Sequence, residues 1–342
     1  MTYTITETKA IQQAAAKIAK STIGFWCCDG VDLFSISPVY SVSVPCAGCG
    51  CWSIPSKVFN DAVKASKELS IEYDPENNVL NINGYKVTPG TYENDKNPLK
   101  DSDAAINKGF FELPFEAKDL LNAVDFVSTD VTRHNLTGVC VDSGLWATDG
   151  HRAIITNDPI PARIETETII PAEIIKMFGK LPAEFYASED RTQILCEIMR
   201  VNVLTTAIEG PFPNIRAVIP SSIEHNFYID HKDYKKLDAF LEKAKKLVKR
   251  TRRCVFIPCD NCIKLHAYDV DTGLEINETL ENSYIQGENA CKIGFDAAYA
   301  QQILKKISKV NNEGFKIEYN SPISATIWSK NYLLMPVRLA DD

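Results

Sequence analysis

Apolar and polar residues alternate with period two in short runs along the whole chain. LNINGYKV (80–87), GVCVDSGLWATD (138–149), CVFIP (254–258) and IKLHAYDV (263–270) are examples. Such runs predict half-buried β-strands. Longer segments show apolar residues three and four apart instead, which predicts amphipathic helices. Three of these are TETKAIQQAAAKIAK (6–20), FEAKDLLNAVDFV (115–127) and HKDYKKLDAFLEKAKKLVK (231–249). Three more follow a strand end and lead into a new strand. Ile54-Pro55 precedes SKVFNDAVKASK and LSIEYD. Ile170-Pro171 precedes AEIIKMFGK and EFYASED. Ile293-Gly294 precedes FDAAYAQQILKKIS and FKIEYN. The three units recur about 120 residues apart, the sign of an internal repeat. The pattern predicts three copies of one α+β unit, each with two helices and about eight strands. Polar or Pro-rich stretches place the boundaries at 1–107, 108–222 and 223–342.

Composition supports a folded chain. The 342 residues are 45% hydrophobic and 24% charged, near the globular average. No apolar run approaches the ~20 residues of a spanning helix. The start of the chain has no apolar block after a basic stretch, so no signal peptide is expected. These features predict a cytoplasmic protein. The 11 cysteines fit reduced thiols. Cys46/Cys49 and Cys259/Cys262 have CxxC spacing, and Cys51 is near the first pair. A zinc site is conceivable there. The pairs are far apart and no His follows at finger spacing, so no metal and no cofactor is expected, and the cysteines read as small apolar side chains.

The net charge of −8 argues against nucleic-acid binding taken alone. The distribution changes that reading. Lys232, Lys235, Lys236, Lys243, Lys245, Lys246, Lys249, Arg250, Arg252 and Arg253 crowd one helical stretch against Asp233, Asp238 and Glu242. Tyr234, Leu237, Leu241, Ala244 and Val248 form its apolar stripe, which leaves a cationic face. Lys17, Lys20, Lys64, Lys118, Lys176 and Lys305 lie on the other repeat helices. Lysines on corresponding helices converge on one surface if the units repeat, and an acidic exterior then steers nucleic acid to it. No helix-turn-helix, zinc-finger or basic-zipper pattern is present, which points away from base reading.

Asp149, His151 and Arg152 in ATDGHR look like a catalytic cluster, since His serves as a general base that Asp can orient. No nucleophile signature, GxSxG, HExxH or P-loop accompanies them. A non-catalytic protein is the expectation.

Four strings settle the comparison with known families. They are RHNLTGVCVDSGLWATDGHRAIIT (133–156), EGPFPNIRAVIP (209–220), KIGFDAAYAQQILKKI (292–307) and SPI with YLLMPVRL (321–323, 332–339). In this order they closely resemble the bacterial DNA polymerase III beta subunit, the sliding-clamp family, over residues 109–339 and more weakly before that. The resemblance implies three clamp domains per chain, and two chains closed head to tail into a ring. It implies helices lining the hole, strands outside, and loose phosphate contacts to duplex DNA. The implied DNA-binding residues are Lys17, Lys20, Lys64, Arg133, His134, Lys176, Lys235, Lys243, Lys246 and Lys305. It also implies partners: a replicative polymerase, a clamp loader and other proteins that dock a short peptide between the second and third domains. The matching positions are Leu136, Thr148, Gly150, His151, Arg152, Ala153, Pro213, Val218, Leu333, Met335, Pro336, Val337, Arg338 and Leu339. Arg152 would bond a peptide carbonyl or carboxylate. Ala153 and Ala217 stand where larger side chains are common, and the basic loop often found after the first helix is missing. The divergence fits a phage or mobile-element clamp as well as a bacterial one.

Overall fold

The computed structural model describes residues 2–5, 24–37, 39–45, 50–64, 69–92, 109–156, 167–179, 182–198, 201–250, 252–287, 290–311 and 313–339. The helix expected over 6–20, with Lys17 and Lys20, lies outside them, as does the Lys64 side chain.

The first repeat forms β1 (Thr2–Ile5), β2 (Phe25–Asp29), β3 (Asp32–Ile36), β4 (Tyr40–Pro45) and β5 (Cys51–Pro55), then α1 (Ser56–Lys64), β6 (Leu69–Asp74), β7 (Val79–Ile82) and β8 (Tyr85–Val87). The second forms β9 (Phe110–Glu112), α2 (Ala117–Val124), β10 (Gly138–Val141), β11 (Leu145–Thr148), β12 (Arg152–Ile155) and β13 (Thr168–Pro171). It continues with α3 (Ala172–Phe178), β14 (Glu184–Ser188), β15 (Gln193–Ile198) and β16 (Val201–Thr206). The third forms β17 (His225–Asp230), α4 (Tyr234–Leu247), β18 (Arg253–Cys259), β19 (Cys262–Tyr268), β20 (Glu275–Leu280) and β21 (Tyr284–Gln286). It ends with β22 (Ile293–Asp296), α5 (Ala297–Ile307), β23 (Gly314–Tyr319), β24 (Thr326–Trp328) and β25 (Tyr332–Leu334).

By packing, the chain divides into two compact units, 1–143 with 160–211 and 144–159 with 212–342. In the first unit one sheet runs β1-β6-β7-β8 and another β5-β2-β3-β4-β16-β15-β14-β9, while β13 pairs with β10. In the second unit one sheet contains β11-β12-β25-β24-β23-β17-β21 and another runs β20-β19-β18-β22. The repeat is visible in these orders. β1-β6-β7-β8, β9-β14-β15-β16 and β17-β23-β24-β25 follow one pattern, as do β5-β2-β3-β4 and β22-β18-β19-β20. Where successive repeats meet, an edge of one continues into an edge of the next. Tyr40 on β4 is opposite Thr205 on β16, and Arg152 on β12 is opposite Leu334 on β25. Continuation removes free edges at both places.

Burial alternates along β2, β5, β7 and the start of β18, whereas β10, β11, β12 and β13 are buried at every position, so the run 138–149 is not half-buried as its period-two pattern predicts. In β2, Trp26 and Cys28 are buried while Phe25 points outward. Phe59 of α1 lies 4.9 Å from the Trp26 ring. In the third repeat Phe256, Phe295 and Trp328 meet edge to face at 5.2–5.3 Å, and Phe227 stacks on Tyr319 at 5.2 Å. Each buried ring is worth about 1.5–3 kcal/mol relative to exposure.

Local chemistry explains the turns and helix ends. Between β7 and β8, Asn83 and Gly84 both have positive φ, 50° and 89°, as a type I′ hairpin turn requires. The helix expected over 231–249 begins later. Asp230 accepts from the Lys232 amide, and a short 3-10 turn covers His231–Asp233. The buried Asp233 carboxylate accepts from Asn282 and Ser283. The helical hydrogen-bond run ends at Val248, whose ψ of 68° leaves the helix. The buried stripe includes Phe240 beside Leu237, Leu241 and Ala244, while Tyr234 is half-buried.

Candidate partner groove and cationic face

The ATDGHR segment is a tight turn joining β11 to β12. Thr148 Oγ1 donates to the Arg152 carbonyl at 2.7 Å and accepts from the Gly150 amide at 3.0 Å. Gly150 has φ +91°, which explains why a glycine stands there. Asp149 Oδ1 accepts from the amides of His151 and Arg152 at 2.9 and 3.1 Å, and Oδ2 from Arg152 Nε at 3.0 Å. Asp149 therefore closes the turn, a different task from orienting an imidazole for catalysis. His151 stacks its ring on Tyr299, with centroids 6.0 Å apart.

Arg152 is 8% exposed. Its guanidinium lies 4.6 Å over the Tyr299 ring, bonds Asp149, and donates Nη1 to Gln302 Oε1. Arg152, expected to bond a peptide, is buried and engaged with these groups, and it shapes the wall. Tyr299 is placed by its helix cap. Asp296 accepts from the amides of Ala298 and Tyr299 and pairs with Arg252 at 3.0 Å. Burial, then the Asp149 charge, hold the Tyr299 hydroxyl above its ordinary pKa. It therefore stays protonated near neutrality.

The end of the chain packs beside this turn. Ala153 is opposite Leu333 in the β12–β25 ladder, and the Met335 amide donates to the His151 carbonyl at 2.8 Å. Val337 then bridges to Gly294 at 2.8 Å. A Cβ on Gly294 would meet the Val337 carbonyl and Leu339 at 2.7 Å, so only glycine permits this approach. Thr148, Ala153 and Leu333 are buried. His151, Gly150, Met335 and Arg338 are exposed, and Pro336 and Val337 half-buried. The 3-10 turn Ile215–Val218 carries an exposed Val218, with exposed Pro213 just before it. It is tied to β11 by Arg216, which lies 4.6 Å over Trp146. The second unit thus gathers most of the expected groove. Two expected residues are placed as follows. Leu136 belongs to the first unit, where it is buried. Leu339 lines another cavity of about 270 Å³ with Arg253, Val255, His266 and Lys292. Tyr299 and Gln302 are the wall residues that sequence reasoning missed. The Asp-Ala-Ala-Tyr helix start was their available signal.

The expected DNA contacts are spread over several elements. On α4, Lys235, Lys243 and Lys246 share the exposed face. Glu242 pairs with Lys245 at 2.7 Å and Lys246 at 3.0 Å, which lowers its pKa to about 2. α5 packs beside α4 through Gln301, which accepts from Lys245 and donates to Asp238. Lys305 on α5 is exposed, 3.9 Å from Asp238. In the first unit Lys176 is exposed on α3. Arg133 pairs with Asp130 at 3.4 Å, and His134 Nε2 lies 3.0 Å from the Glu209 carbonyl oxygen.

Cys259 and Cys262 are opposite each other at the tip of the β18–β19 hairpin. Among the described residues no group of three or more His, Cys, Asp or Glu could hold a metal ion; Cys46 and Cys49 lie outside them. Cys196 and Cys254 are fully buried, and burial raises both thiol pKa values.

The architecture is the α+β clamp fold. The beta subunit of DNA polymerase III from Thermotoga maritima aligns with a TM-score of 0.76 at 18% identity, over 99% of both chains. A DNA polymerase sliding clamp from Pseudomonas aeruginosa aligns with a TM-score of 0.75 at 17% identity, over 99% of this chain and all of that one. By sequence, the beta sliding clamp of Staphylococcus aureus (strain Mu50) is 23% identical over 338 residues, 91% of this chain and 83% of that protein. No family model matches. The resemblance to bacterial sliding clamps therefore holds along nearly the whole chain, as that of a divergent relative.

Proposed function

We propose that this chain is a DNA sliding clamp: a ring-shaped processivity factor that encircles duplex DNA and tethers the replicative polymerase and other replication or repair proteins. Full-length similarity to clamps, in sequence and fold, carries this reading. The chain comprises three clamp domains, 1–107, 108–222 and 223–342, and acts as a non-catalytic accessory subunit on DNA in the cytoplasm. Partner peptides dock against His151, Met335, Pro336 and Val337, on a wall built by Arg152 and Tyr299. The lysines of α4 and α5 meet phosphates without reading bases.

The ring closes through a second copy, head to tail. Among the described residues, β8 and β20 are unpaired edges. β8 is the counterpart of β16 and β25, and β20 that of β4 and β12, the very strands that join successive repeats. β8 of one copy therefore adds to β20 of the next, with Lys86 facing an edge that carries Glu275 and Glu278. Two such contacts close a dimer although the two surfaces differ. The test is loading onto circular DNA. Retention on closed circles with loss upon linearisation is expected, and equal retention on both overturns the reading.

A further inference from the structure

The junction that forms the partner groove occurs twice in this chain, and the first copy lies wholly inside the first unit. At the second junction Met335 donates its amide to the His151 carbonyl, just ahead of β12, and Val337 donates to Gly294 on β22. At the first, Thr205 Oγ1 donates to the Val39 carbonyl at 2.9 Å, just ahead of β4, and Ile208 donates its amide to Ile169 on β13 at 2.9 Å. The ladders match as well. Arg152 is opposite Leu334, and Tyr40 is opposite Thr205, so Val39 stands where His151 stands and Ile208 where Val337 stands. α3 follows β13 as α5 follows β22.

This first junction holds an open groove of about 700 Å³, within the size range of ligand clefts. Val39, Val127, Val131, Pro171 and Ile208 make its apolar lining. Val131 is 81% exposed and Val39 47%, which is unusual for neighbouring aliphatic side chains around one concavity. The charged lining is one Lys176 and one Glu173, which cancel, beside His134. Lys176 and His134 are also among the expected DNA contacts, so the test below includes a duplex competitor. A duplex gains nothing from a valine-lined groove without net positive charge. An uncharged aliphatic peptide gains apolar burial.

We infer that this groove is a second docking site, for an extended peptide with uncharged aliphatic and aromatic side chains, separate from the groove at Met335. The inference uses the repeat underlying the clamp reading, but its test needs neither DNA nor a ring. The probe is a neutral unlabelled hexapeptide, acetyl-Ser-Leu-Val-Leu-Phe-Ser-amide, titrated into the full chain by calorimetry. In the Met335→Asp variant saturable binding should persist. Adding Val131→Asp should weaken it at least tenfold, and circular dichroism should be unchanged because Val131 is exposed. Raising salt from 50 to 500 mM should change the affinity less than twofold, since no net charge is involved. Loss of all binding in Met335→Asp alone overturns the inference. So does unchanged affinity after Val131→Asp, or displacement of the probe by a short DNA duplex, which would assign the groove to nucleic acid.

Discussion

The Met335 amide donates to the His151 carbonyl at 2.8 Å, so the last strand and the ATDGHR turn form one rigid wall. The bond uses only backbone atoms, which leaves the Met335 side chain, 36% exposed, available to a partner. Replacing Met335 with Asp should therefore keep the fold. It puts a charge in an apolar slot, where an unpaired charge is costly. Binding of a polymerase-derived peptide should fall more than a hundredfold with the dimer intact. Calorimetry giving wild-type affinity would reject the assignment.

Arg152→Ala should act differently. It removes a buried guanidinium from Asp149, Gln302 and Tyr299 together. Stranding the Asp149 carboxylate should cost about 3 kcal/mol. Urea unfolding is the measurement. A midpoint equal to wild type would mean that the network contributes little, and peptide binding should weaken only as the turn loosens.

Lys86→Pro tests ring closure. The Asn83-Gly84 turn makes Ile82 and Tyr85 the closing pair of the hairpin. In an antiparallel ladder the next pair, Asn81 and Lys86, exchanges no hydrogen bonds, so the Lys86 amide points away from β7. Proline there spares the β7–β8 ladder and removes an outward donor. The variant should be a folded monomer at micromolar concentration by light scattering. A dimer of wild-type affinity would exclude this edge.

Replacing Lys235, Lys243 and Lys246 with Ala removes charge from the exposed face of α4 and leaves Leu237, Phe240 and Leu241 buried. Helix propensity is kept. The salt dependence of DNA binding should flatten by up to about three units of slope, roughly one per lost phosphate contact. An unchanged slope in a folded dimer would remove this face from the DNA contacts.

Glu242 offers a pH test. Its folded pKa, about 2, is below the ordinary 4.5. A depressed carboxylate stabilises the fold above its unfolded pKa, and that contribution is lost as pH falls from about 4.5 towards 2. Wild type should lose more stability between pH 5 and 3 than Glu242→Gln does. Equal losses in urea titrations would show that the two lysine pairs are not maintained in solution.

The sequence alone determined many of the strands, the helices that fall within the described residues, though not their exact starts, and the recurrence of one unit, because period-two and helical patterns are local. LNINGYKV, one alternating run by its pattern, is two strands joined at Asn83-Gly84, whose residue types suit positive φ. The sequence also carried the ATDGHR and YLLMPVRL segments, whose residue types suit a turn and an apolar slot. Which residues would face a partner was decided only by tertiary structure. Arg152 looked like a ligand-binding cation, and packing buried it against Asp149, Gln302 and Tyr299. Tyr299 and Gln302 come from a helix about 150 residues away in sequence, and no local pattern encodes that meeting. Leu339, next to the groove residues in sequence, packs against Gly294 and lines a cavity with Arg253 and His266. The groove at Val39 and Val131 is of the same kind, since its lining comes from four separate stretches of the chain. Periodicity records which face of an element is buried. Which elements share a wall depends on strand pairing between repeats, a long-range choice fixed only when the edges join.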